Sequence, residues 1–228
     1  MLEMLDRYST YIFVGCGLLI GVPFIWKQRD KVGLNKTWQV CLLCLSYSVA
    51  SVLGALLLAK IEGAMAGKSG GRISTYGVYF FGSIFLLICT ALFRLKRKGV
   101  FDLYALYVLP SLFLQRCNCL RTGCCGGTSI FGTDLHWPTR ESELIFYSVM
   151  FGVLWKKIKK NEIPGQLFPL LMMCYGSFRF INEWFRQGDT VGLHLAHFWS
   201  GLCAVIGCSI YYELRARAKK TSEKRRRA

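Results

Sequence analysis

The residues best able to do chemistry sit in one stretch, Tyr175-Gly176-Ser177-Phe178-Arg179-Phe180-Ile181-Asn182-Glu183-Trp184-Phe185-Arg186, at the end of a long apolar run. Arg179, Glu183 and Arg186 are spaced i, i+4 and i+7, which on a helix stacks them on one face while Phe178, Ile181 and Phe185 turn elsewhere. Ionisable groups at bilayer depth cost roughly 2.5–3.5 kcal/mol each, so they ordinarily face a bundle interior or a water-filled cavity and serve a polar ligand there. Guanidinium suits an anionic ligand, because its planar fork matches two oxygens and stays charged. The plainer alternative is a snorkelling ion pair that only anchors the helix at the interface.

The elements that must position this stripe follow from composition. Of 228 residues 53% are hydrophobic and only 18% charged, too apolar for a soluble chain and expected of an integral membrane protein. The expected fold is all-α, a polytopic bundle with candidate spans at Tyr8 to Trp26, Trp38 to Ile61, Ile73 to Phe93, Phe101 to Leu114, Ser142 to Trp155, Leu167 to Phe185 and Leu193 to Tyr212. The fourth and fifth are short for a span, and Pro110 is expected to interrupt the fourth. Acidic Glu3 and Asp6 beside Arg7, with no small-residue cleavage site after the first apolar run, predict a retained helix and no removable signal peptide.

Lysine and arginine placement predicts orientation. Most of the 29 basic residues fall in alternate connections, around Lys27 to Lys36, Arg94 to Lys98 and Lys156 to Lys160, and in a tail from Arg215 to Arg227. These are expected on the cytoplasmic side, giving an outside N-terminus and an inside C-terminus. Trp26, Trp38 and Trp155 then lie at inner edges, Trp137 and Trp184 at outer ones. The net charge of +16 reads as topology and attraction to anionic headgroups, and the tail lacks the interleaved aromatics of a nucleic-acid binder, so no nucleic-acid partner is expected. We find no repeat and no soluble domain: residues 1–228 read as a single domain with a basic cytoplasmic tail at 213–228.

Against the topological bias, Arg116, Arg121, Arg140, Arg179 and Arg186 all fall on the expected outer face, and binding an anion there accounts for them. The longest non-apolar stretches, Arg116 to Glu141 and Gly63 to Gly71, share that face. Within the first, Cys117, Cys119, Cys124 and Cys125 invite a metal reading. Their C-x-C-x4-C-C spacing is not a usual zinc pattern, and adjacent cysteines do not easily face one tetrahedral ion. A disulfide using Cys117 or Cys119 is the other option. No metal and no cofactor is expected.

Arg116 to Gly127 resembles the signature of the prolipoprotein diacylglyceryl transferase family, in which an arginine opens a loop and a glycine seven residues later turns the backbone; Arg116 and Gly123 match, and Gly123-Cys124-Cys125-x-Gly127 repeats an ending found in some members. Tyr175 to Arg186 is similar to the family's Tyr-Gly-x-x-Arg-Phe-x-x-Glu-x-x-Arg run, in register at Tyr175, Gly176, Arg179, Phe180, Glu183 and Arg186. Gly70 to Gly77 is similar to its Gly-Gly-x-Ser-x-His-Gly-Gly. Departures are equally specific. Tyr76 replaces the histidine proposed as a base, Val78 the second glycine, and Cys119 the signature asparagine. Of the family's His-Pro-x-Gln-Leu-Tyr-Glu opening to the fifth helix, Arg140 to Leu144 keeps the leucine and little else.

The resemblance implies a transferase of lipoprotein biosynthesis in the bacterial inner or plasma membrane. It would move the diacylglyceryl group of phosphatidylglycerol to the cysteine thiol of a lipoprotein precursor or related thiol-bearing peptide. The implied catalytic residues are Arg116, Arg179, Glu183 and Tyr76, and the implied substrate-binding residues are Arg116, Arg179, Arg186, Gly123 and Tyr175. Glu183 reads equally as the base or as the group that orients Arg179, and Tyr76, with an ordinary pKa near 10, as a donor to lipid rather than a base. His194 and His197 read as interfacial packing more than as site residues. Two other functions fit the same residues: a noncatalytic protein that binds anionic lipid or docks a partner, and a small-solute transporter, against which the missing inverted repeat counts.

Overall fold

The computed structural model describes residues 2–34, 36–65, 74–123, 126–129, 136–160, 163–186 and 195–227, with side chains except at 2–8, 31 and 225–227. Among these residues there are seven α-helices: α1 (Leu2–Lys27), α2 (Thr37–Met65), α3 (Thr75–Leu92), α4 (Arg97–Thr122), α5 (Thr139–Lys159), α6 (Leu167–Glu183) and α7 (Leu195–Arg227). Four contain stretches long and apolar enough to cross a membrane: Ser9–Lys27, Thr37–Met65, Thr75–Leu92 and Leu195–Lys224. α7 runs 33 residues, so at roughly 50 Å it exceeds a hydrocarbon core of about 30 Å and carries the basic tail as continuous helix.

Three sequence expectations are corrected. The fourth helix is not short: it extends from Arg97 through Pro110 to Thr122, 26 residues. Helices in a bundle tolerate proline where neighbours satisfy the freed backbone, and α1 lies closely against this point, with Gly17 next to the Pro110 carbonyl. The stretch from Arg116 is therefore helical to Thr122, and α5 begins at Thr139 rather than Ser142. Likewise Gly63 belongs to α2, which continues to Met65; residues 66–73 lie outside the described set.

The helices associate as close pairs, α1 with α4, α2 with α3 and α6 with α7. Small residues make this possible, as is usual where lipid supplies no hydrophobic drive between helices. A Cβ on Gly176 would stand 2.6 Å from the Ser200 carbonyl oxygen, so only glycine lets α7 approach α6 there. Large apolar side chains such as Leu19, Leu45, Ile84, Ile145 and Val149 face outward, while the largest fully buried side chains include Tyr47, Tyr79, Tyr104, Tyr107, Tyr147 and Tyr175. Tyr47 donates to the Val100 carbonyl at 2.6 Å, Tyr104 pairs with Ser51 at 3.0 Å and Tyr107 with Ser48 at 2.8 Å. These bonds stitch α2 to α4 through groups that an apolar surrounding would otherwise leave unsatisfied.

Asp102 fixes the start of α6. Its two carboxylate oxygens accept the backbone N–H groups of Gly165 at 2.6 Å and Leu167 at 2.8 Å, capping α6 from α4. The turn needs Gly165, whose φ is +89°.

Candidate functional site

α4, α5 and α6 bring their charged residues together at one end. Arg116 lies in the last turns of α4, which closes at Gly123 in the left-handed conformation, φ +70°. α5 opens after Pro138 and presents Glu143 just over one turn in; α6 presents Arg179 and Glu183 near its last turn. The Glu143 carboxylate receives Arg116 Nε on one oxygen and Arg179 Nη1 on the other. Arg179 Nη2 reaches Glu183 Oε2 at 2.5 Å, and Arg186 Nη1 donates to Glu183 Oε1 at 3.3 Å. The result is a chain of alternating charge, Arg116–Glu143–Arg179–Glu183–Arg186, spanning three helices with one net positive charge.

Burial along this chain is graded. The Arg116, Glu143, Arg179 and Glu183 side chains are 9%, 2%, 4% and 4% exposed, whereas Arg186 is 27% exposed and marks the side open to solvent. A buried ion needs partners on every face, so each carboxylate is held between two guanidiniums. Each guanidinium has five N–H donors in a planar fork, and Arg116 uses one of them on Cys119 as well. The spacing of the stripe is reproduced in space: Arg179 and Glu183 face inward with Asn182, while Ile181, Trp184 and Phe185 face outward.

Tyr175 lies beneath the network, its ring 5.8 Å from Tyr76, 4.9 Å from Tyr79 and 6.1 Å from Tyr147. Tyr76, at the start of α3, hydrogen-bonds Ser200 Oγ of α7 at 2.5 Å, and Ser200 in turn donates to the Ala196 carbonyl at 2.7 Å. The Ser200 proton is thus already used, so the Tyr76 hydroxyl donates to Ser200 instead of to a lipid. Gly123 stands apart, nearly two turns beyond Arg116, and acts on the site by ending α4. Arg121 turns to Asn118, its Nε 3.4 Å from Oδ1. Cys119 Sγ accepts from Arg116 Nη1 at 3.9 Å, placing sulfur at the position of the signature asparagine. Cys124, Cys125, His194 and Gly70 to Ile73 lie outside the described residues. His197 is buried with its ring 4.8 Å from Trp184 and 5.4 Å from Phe180.

Two participants were not read from the sequence as site residues. Glu143 was passed over because matching the leucine of the fifth-helix pattern shifts the frame. The interval from proline to glutamate in His-Pro-x-Gln-Leu-Tyr-Glu is five, which Pro138 and Glu143 reproduce. Asn182 is the other. Its Oδ1 accepts from Trp137 Nε1 at 3.2 Å and shares the Ser142 hydroxyl, 3.2 Å away, with the Thr139 carbonyl at 2.9 Å, and its Nδ2 donates to the Thr139 carbonyl at 3.2 Å. One amide thereby ties the opening of α5 to α6 between Arg179 and Glu183. Trp137 stacks on Phe185 at 4.3 Å, Thr128 N–H donates to the Phe185 carbonyl at 2.8 Å and Trp137 N–H to that of Thr128 at 2.9 Å. The segment before α5 is thus fastened to the α6 end of the site.

Fold and site together define a helical membrane protein with a buried network of arginines and glutamates at one end of its bundle. The chain belongs to the prolipoprotein diacylglyceryl transferase family, whose model matches residues 5–213, nearly the whole length. It is therefore a member of a membrane transferase family of lipoprotein biosynthesis. No curated protein matches the chain significantly.

Proposed function

We propose that this protein transfers the diacylglyceryl group of phosphatidylglycerol to the cysteine thiol of a lipoprotein precursor, releasing glycerol phosphate. The observation that carries this reading is the convergence of Arg116 and Arg179 on one carboxylate, Glu143, because two guanidiniums already focused on one anion are placed to share a phosphate. In the reaction the thiolate sulfur bonds to the glycerol carbon of the diacylglyceryl group as the bond from that carbon to the phosphate oxygen breaks. The electron pair leaves with the glycerol phosphate, and the thiol proton goes to the leaving phosphate or to water. Arg116 and Arg179 stabilise the growing phosphate charge, Arg186 draws the headgroup in from the solvent side, and Tyr175 shapes the floor. Glu183, with both oxygens engaged by arginines, serves as the orienting group for Arg179. Tyr76 closes the site against α7 through Ser200, and Gly123 ends α4 so that Arg116 faces the site.

The protein works as one domain over residues 1–228 with seven spans in the bacterial inner membrane, N-terminus outside and the tail at 213–228 inside. The basic connections support this orientation by the positive-inside rule. A second reading, binding of anionic lipid without turnover, is favoured by one observation: the Tyr76 proton, at the family's histidine position, is committed to Ser200. Purified protein with radiolabelled phosphatidylglycerol and a thiol-bearing precursor peptide separates the two. Release of labelled glycerol phosphate with lipidation of the peptide is expected, and binding without release would establish the second reading.

A further inference from the structure

The opposite end of α4, α5 and α6 holds a cavity of about 540 Å3 that the transfer reaction does not use. Counting along each helix from the charged network, Arg116 to Arg97 on α4, Glu143 to Lys157 on α5 and Arg179 to Leu167 on α6, the two ends lie roughly 18 to 28 Å apart. Lys96, Arg97, Lys98 and Lys157 line this cavity, and Asp102 is the one carboxylate among its described lining residues. That carboxylate is 8% exposed and occupied by the N–H groups of Gly165 and Leu167. One carboxylate against four cations leaves the described lining with a net positive charge. Lys96, Arg97 and Lys98 make no ion pair among the described residues, and the aliphatic stem of Lys98 lies against Gly165, directing that residue along the cavity wall. The first turn of α4, from Arg97 to Gly99, adds backbone N–H groups without intrahelical partners to the same wall. Ile158 and Leu167 supply apolar surface beside the cations.

We propose that this cavity is a second anion site, separate from the arginine–glutamate network, that takes a phosphate group. Basic pockets between helix ends on the cytoplasmic side are suited to phospholipid headgroups, and the apolar walls fit the glycerol and acyl portion that follows such a phosphate. A soluble phosphate ester has the same anionic chemistry without the apolar tail, so the two sources are distinguishable by experiment.

The test uses the full chain in neutral detergent, with bound dioctanoyl phosphatidylglycerol counted by native mass spectrometry for wild type, the double variant Lys96→Gln/Lys98→Gln, and Arg179→Ala as a reference for the other site. Both lysines are exposed, so the double variant keeps the fold, which its melting temperature verifies. The expected result is loss of one bound lipid, with affinity at that site down by about tenfold or more. Turnover at the network should stay close to wild type. Excess glycerol phosphate that leaves this lipid in place identifies a lipid site, and displacement of it identifies a site for soluble phosphate esters. Unchanged stoichiometry and affinity in the double variant would overturn the proposal.

Discussion

At one end of α4, α5 and α6 the charges are buried and paired, and at the other most are exposed lysines and arginines around a cavity. Each end also buries a carboxylate on a neighbouring helix's donors, yet with different partners. Glu143 is answered by two guanidiniums, Asp102 by two backbone N–H groups. The contrast separates two uses of charge. Backbone donors fix a helix start and have no freedom to move, so Asp102 sets geometry. Guanidiniums sit on side chains that can rotate, so the Glu143 end is the one at which we propose that an anionic ligand is bound.

The largest effect should come from the centre of the paired end. Glu143→Gln leaves Arg116 and Arg179 without their shared countercharge, and breaking a buried pair from one side costs about 3–5 kcal/mol. Thermal unfolding in detergent should show a large drop. Replacing Glu143, Arg116 and Arg179 together by apolar residues should recover much of it while abolishing turnover; a single variant as stable as wild type would show the network to be wet and loosely held.

Next in size is Arg179→Ala, expected to slow transfer by about a hundredfold to a thousandfold, roughly 2.7–4 kcal/mol, as for loss of one charge-stabilising donor. Arg179→Lys should lose most activity as well, since a point charge does not replace the bidentate fork. Labelled phosphatidylglycerol turnover measures both, and wild-type rates would return the stripe to the role of an interfacial anchor.

At the other end, Asp102→Asn keeps the shape but leaves one acceptor oxygen for two backbone N–H groups and turns an NH2 toward the other, an unsatisfied-donor loss of about 1–3 kcal/mol. The melting temperature should fall modestly with turnover per folded molecule preserved, whereas a rate loss matching Arg179→Ala would mean that the two ends are coupled through α4. The smallest effect belongs to Arg186→Ala, whose pair with Glu183 is 3.3 Å long and whose side chain is 27% exposed. Pairs open to solvent contribute about 0.2–1 kcal/mol, so turnover should change by less than about tenfold.

Much of this arrangement was legible beforehand where the signal is local. The i, i+4 spacing placed Arg179 and Glu183 on one face, and in the fold that face is the buried one, whereas Arg186 lies beyond the end of α6 and is 27% exposed. Apolar runs located all seven helices, and the family resemblance rested on Arg116 and the Tyr175 to Arg186 run, both of which lie at the network. The errors fell on α4 and α5, the helices whose hydropathy is diluted by residues buried in the protein rather than facing lipid. Arg116 and Asn118 interrupt the apolar pattern of α4 as a loop would, yet both are inside, Asn118 reaching Thr10 of α1 at 3.1 Å.

The sequence by itself determined the helical segments, the inward pair Arg179 and Glu183 on α6 and the collection of basic residues in alternate connections, because each depends on neighbours within a turn or on local composition. Only the tertiary structure decided that Glu143 would stand between Arg116 and Arg179, that Asn182 would tie α5 to α6, and that Tyr76 would spend its proton on Ser200. Arg179 lies 36 residues from Glu143 and Tyr76 lies 124 from Ser200. At such separations the partner of a buried polar group is chosen by how whole helices pack, since burial requires a partner and leaves its identity to whichever group the packing brings within reach.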